Sequence, residues 1–190
     1  MKIKKILALA LAAVLLVAVS VGGTMAWLVA ETGEITNTFS TSNVGVTLTE
    51  TTTNYKMIPG HTIDKNPKVK LTENSEDSYV FVEVKKSANF DEYMTYETEW
   101  TQLSETKNAD GTVTLVYYTT MTATQEAKSF LKDDKVTVKE GVTNTMMNAA
   151  KDNQPTLTFK AYAVQLNETN NTPFATPAEA WAAVKNPTAQ

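Results

Sequence analysis

An antiparallel β-sandwich is the fold class this sequence predicts. Three observations carry it: apolar and polar residues alternate in several short runs after residue 40, turn chemistry separates the runs, and no strand–helix–strand alternation appears. The composition agrees. Threonine is abundant and glycine scarce, with 7 glycines in 190 residues, and β-branched side chains suit half-exposed pleated sheets better than flexible linkers.

The elements follow in chain order. "NVGVTLTE" sets Val44, Val46 and Leu48 on one face and Thr47 and Thr49 on the other. "PKVKLTE" repeats the pattern with Val69 and Leu71 against Lys68 and Lys70. "SYVFVEVKK" is apolar on both faces at its centre, Val80, Val82 and Val84 against Tyr79 and Phe81, which predicts a central strand. "MTYETEWTQL" places Met94, Tyr96 and Trp100 on one side of a further strand, and "GTVTLVYYT" pairs with it through the turn Asn108–Gly111, where Asp-Gly tolerates the positive φ of a tight hairpin. "KVTVK" (135–139) is a short strand, and "PTLTFKAYAVQL" (155–166) is expected to be the longest and most apolar. Two short helices interrupt the strands, over 143–152 and 176–187. The second is well specified: Thr176 caps, Pro177 suits the first turn, Glu179 completes a capping box, and Trp181 with Val184 anchors one face. Val80, Val82, Val84, Leu157, Phe159 and Trp181 are the expected core.

The first forty residues are organised differently. Lys2, Lys4 and Lys5 are followed by no charge until Glu31, and Ile6–Val21 is almost wholly Leu, Ala and Val. A basic head and an apolar helix are the pattern of a secretory signal peptide. Gly22 and Gly23 loosen that helix, and Thr24 and Ala26 supply the small side chains signal peptidase requires, so the expected cut falls between Ala26 and Trp27. The alternative is an uncut anchor, since the uncharged stretch 6–30 is long enough as a helix to cross a bilayer. With the cut, the chain divides into a signal peptide (1–26), a mature N-terminal segment (27–40) and one sandwich domain (41–190). The protein is then secreted, meets the membrane only through the uncleaved segment, and has signal peptidase as a partner.

Charge and composition exclude several functions. Loss of three lysines leaves 14 against 21 acidic residues, a formal charge of −7. No arginine is present, and an acidic, arginine-free chain lacks the usual means of gripping nucleic acid. The absence of cysteine removes thiolate metal sites and disulfides. The only histidine, His61 in "IPGHTIDKNP", predicts an exposed loop residue, because a protein-built zinc site draws on several His or Cys. Neither a His-Glu-x-x-His helix nor a Gly-x-Ser-x-Gly elbow occurs. "TENSEDS" (72–78) and "LKDDK" (131–135) carry oxygen ligands of the kind calcium takes, yet each is most simply an acidic turn. Tyr79, Phe81, Trp100, Tyr117, Tyr118 and Tyr162 are expected as core and cross-strand pairs. The sequence thus predicts no catalytic residue, no metal ligand and no cofactor.

Three stretches together resemble one family. "GGTMAW" resembles the cleavage region of proteins processed by the specialised SipW-type signal peptidase. "YKMIPGHTIDKNPKVKLTENSEDSYVFVEV" (55–84) resembles the turn, strand, acidic loop and strand module of the same group, and "PTLTFKAYAVQ" with "TPAEAWAAV" resembles its C-terminal strand and helix. The family is that of TasA and camelysin, from Gram-positive bacteria, and the likeness covers essentially the whole chain. Family members often read aromatic-Phe-Thr-Asp after the cut; Trp27-Leu28-Val29-Ala30 keeps only the aromatic. The resemblance implies a jelly-roll or Ig-like sandwich at the cell surface or in biofilm matrix, forming fibres by donating its mature N-terminal strand to the next copy. Here that strand is Trp27–Phe39, with Trp27, Leu28, Val29, Ile35 and Phe39 as anchors, and the chief partner is the protein itself. Alternatively the strand pairs within its own sandwich. The camelysin branch implies a surface metalloendopeptidase, for which carboxylates such as Asp64 or Glu73 would have to join His61. A surface adhesin binding glycan or protein is a third reading.

Overall fold

Both faces of Ser78–Lys86 are apolar at its centre, and that segment, β4, lies inside the largest sheet. The computed structural model describes residues 44–51, 55–168 and 172–186, all within the compact unit Thr41–Gln190. The expected signal peptide, the cleavage residues Thr24, Ala26 and Trp27, and the anchors Leu28, Val29, Ile35 and Phe39 lie outside the described residues.

The described residues form ten strands in three antiparallel sheets, a sandwich-like all-β fold. The largest sheet runs β10 (Leu157–Gln165), β4, β7 (Val113–Met121), β6 (Thr101–Lys107). A second runs β1 (Val46–Thr49), β3 (Lys68–Leu71), β8 (Lys128–Ser129), and a third runs β2 (Thr62–Asp64), β9 (Lys135–Val138), β5 (Met94–Tyr96). Even-numbered residues of β4 meet the two smaller sheets. Val80, Val82 and Val84 share one core with Val69, Leu71, Val136 and Val138, all at most 2% exposed. Phe81 faces the other way, onto a smaller cluster with Val116 and Ala180. Burial on both sides is what the unbroken apolar run of β4 required.

The hairpin forms where its turn residues stand. Asn108 N–H donates to the Thr112 carbonyl at 2.8 Å, and Gly111 takes φ +79°. Both expected helices form, as α2 (Asn144–Ala149) and α3 (Pro177–Lys185). Thr176 caps α3, its Oγ1 accepting from Glu179 N–H at 3.2 Å, while the Glu179 carboxylate accepts from Ala175 N–H at 3.1 Å. A four-residue helix α1 (Phe90–Tyr93) adds to these, tucking Phe90 and Tyr93 into the main core.

Two expectations need correction. The run 94–103 is not one strand: β5 belongs to the third sheet and β6 to the largest, with the break at Glu97–Trp100. Thr98 causes it, its hydroxyl donating to the Phe130 carbonyl and accepting from Trp100 N–H. The Trp100 indole N–H then donates to the Ser129 carbonyl at 2.9 Å, which holds the crossover against β8. Met94 and Tyr96 from β5 and Trp100 from the break still reach one core. The second correction concerns β10. It is an edge strand, paired only with β4 among the described residues, so Leu157 and Phe159 are half-buried, as is Trp181 on α3.

Candidate functional site

The loop residues singled out for chemistry do not converge. His61 is exposed, and its backbone serves the turn: its N–H donates to the Ile58 carbonyl at 3.0 Å and its carbonyl accepts from Val138 N–H at 2.9 Å. Asp64, Glu73, Glu76 and Asp77 are exposed on their own segments. Among the described residues no three of His, Cys, Asp and Glu come together to hold a metal ion. The acidic stretches are turns with local work. Ser75 is buried and accepts from Gly45 N–H at 3.2 Å, tying "TENSEDS" to the start of β1. In "LKDDK", Asp133 and Asp134 take φ +54° and +56°, and the Asp134 carboxylate accepts from the Ser129 hydroxyl and lies 3.6 Å from Lys68 Nζ.

Sheet edges offer more. The largest sheet ends on one side in β6 and on the other in β10. β6 is blunted: its register breaks in a bulge between Gln102 and Ser104, and Glu105 and Lys107 put charge along an exposed ribbon. β10 has neither device. Nine consecutive residues pair with β4 without a register shift, and Lys160 is the only charge among them. β1 comes close to β10 without exchanging ladder hydrogen bonds with it. A nine-residue row of backbone groups on the far side of β10 is therefore unmatched by any ladder among the described residues.

The outer face of β4 and β10 is covered by α3. The Trp181 ring lies 5.1 Å from Phe81 and 5.2 Å from Tyr162, and Lys185 Nζ lies over both Trp181 and Tyr162. The Lys185 ammonium also bonds Glu83 at 2.7 Å and the Tyr162 hydroxyl at 3.1 Å. Burial pulls its pKa down, but Glu83 and Tyr162 outweigh this and hold it above the usual lysine value.

Between β2 and β9 on one side and the start of β10 on the other opens a cleft of about 870 Å³, which sequence reading did not find. Met57, Ile63, Met94, Val136, Met147 and Leu157 make its apolar floor. At one end Glu50 accepts from the Tyr55 hydroxyl at 2.9 Å and from Lys65 Nζ at 2.6 Å. Lys65 Nζ also sits 5.0 Å from the Tyr55 ring centre and 5.2 Å from that of Phe159. Burial, then the hydrogen bond to Glu50 and its charge, push the Tyr55 phenol up to about 12, so it stays a donor. Glu50 and Lys65 thus neutralise each other in a fixed position. The lining comes from five separate segments, so no local pattern announces it; the paired Met146-Met147 of α2 is the one signal near it.

No protein-family model, curated protein or solved structure matches this chain.

Proposed function

We propose that this chain is an exported structural protein of the cell surface or biofilm matrix, in which the segment Trp27–Phe39 of one copy completes the sheet edge of the next. The observation that supports this reading is β10, a long, regular, bulge-free edge on a sheet whose opposite edge is blunted. The segment has the composition of a partner for such an edge: the apolar run Trp27-Leu28-Val29 and the later Ile35 and Phe39 stand among Thr32, Thr36 and Thr38, with Glu31 and Glu34 between them and no proline. The resemblance to the TasA and camelysin group agrees with it. In this reading the protein has no catalytic step and no cofactor. Its partners are other copies of itself and the signal peptidase that frees the segment.

Deletion of Trp27–Asn37 tests the proposal. The exported chain should form fibres visible by electron microscopy, and the deleted chain should be a soluble monomer that keeps its β-sheet circular dichroism. A deleted chain that unfolds would put the segment in its own sandwich. One that still forms fibres would place the contact elsewhere.

A further inference from the structure

We propose that the cleft between β9 and β10 binds a small amphiphile with an apolar body and a single anionic head, a fatty-acid-like carboxylate or alkyl phosphate. Size is the first argument. At about 870 Å³ the cleft falls within the range of about 300–1,000 Å³ typical of small-molecule sites. The floor is the second: three methionines, Met57, Met94 and Met147, line it, and their unbranched thioethers adapt to a flexible chain.

Charge decides the head group. The chain carries 21 acidic residues, yet among the described residues no Asp or Glu lines the cleft itself, Glu50 being bonded to Tyr55 and Lys65 at its end, whereas Lys56, Lys65 and Lys151 do line it. Lys65 is already matched by Glu50. Lys56 and Lys151 are exposed, and neither makes an ion pair with a described residue. An anion entering head-outward would meet these two ammonium groups while its tail covered the methionines. This site shares Leu157 with the edge strand β10 but does not rest on strand donation, and its test reads ligand binding rather than fibre formation.

The test uses the full chain with ¹³C-methyl methionine, titrated with dodecanoate, dodecyl phosphate and dodecanol below their micelle-forming concentrations. Methyl signals of Met57, Met94 and Met147 should shift saturably with both anions at micromolar concentration. The double variant Lys56→Glu, Lys151→Glu should weaken both anions tenfold or more and change dodecanol binding less than twofold. Met147→Trp should weaken all three by filling the floor. A dodecanoate affinity equal to that of dodecanol would overturn the anionic head. Unmoved methionine methyls, or methyls moved by a synthetic 27–39 peptide and not by dodecanoate, would overturn the ligand class.

Discussion

Phe130 meets four other rings: Tyr117 at 5.3 Å, Phe159 at 5.4 Å, Trp100 at 5.7 Å and Tyr96 at 6.3 Å between centroids. It is fully buried, and these rings come from four different strands or loops. Phe130→Ala should therefore destabilise the fold by about 3–5 kcal/mol, and Phe159→Ala, half-buried on an edge, by about half as much. Urea unfolding of the two variants checks the order; equal losses would contradict the burial. Phe130 was illegible in the sequence because its neighbours form only the two-residue strand β8, too short for alternation to show. Phe159 was legible as apolar, but its edge position depends on which strands pair, and local pattern does not encode that. Tyr55 gives a second test. Its folded pKa of about 12 stands above the ordinary 10.0, so the neutral phenol is the favoured folded form. The stability it contributes is complete below pH 10 and is lost as pH rises through about 12. Tyr55→Phe should flatten the fall in urea midpoint across that window; an unchanged slope would show that burial and Glu50 together do not raise the Tyr55 phenol in solution.

Among the elements, α3 was the best specified by sequence, because its cap, first-turn proline and stop are all local signals. Thr176→Ala should remove the bond to Glu179 N–H and destabilise the fold by about 1 kcal/mol. Amide exchange at Ala180 and Trp181 should quicken; unaltered exchange would mean that packing on Phe81, not the cap, holds the helix. The alternation of β3, β4, β7 and β9 was equally readable, since each strand buries at least one face. The split between β5 and β6 was not. Met94, Tyr96 and Trp100 obey a strand's spacing, and the break depends on a hydrogen bond from Thr98 to a residue 32 positions away. The cleft was hidden for the same reason, being assembled from segments that sequence reading treats separately.

For the molecule as a whole, the cleavage proposed between Ala26 and Trp27 makes a direct prediction. Ala26→Lys should leave the precursor uncut and held in the membrane fraction, whereas the parent chain should yield an exported N-terminus at Trp27 by sequencing. An exported chain starting beyond Ala30 would contradict the proposed seam. The central position of β4 has a kinetic consequence. Ser78 pairs with Gln165 and Lys86 with Leu157, partners 87 and 71 positions apart along the chain. Closing so long a loop spends chain entropy before any contact repays it, which places this fold among the slow, high-contact-order folders, in milliseconds to seconds rather than microseconds. The delay also has a direction. While a ribosome has yet to deliver residue 157, β4 can zip to β7 but its other flank stays open, with Val80, Val82 and Val84 poorly shielded. The chain is thus a half-built sheet over the stretch from Met121, where β7 ends, to Leu157, where β10 begins, and an arrest within that stretch should yield a sticky, protease-sensitive fragment rather than a smaller domain.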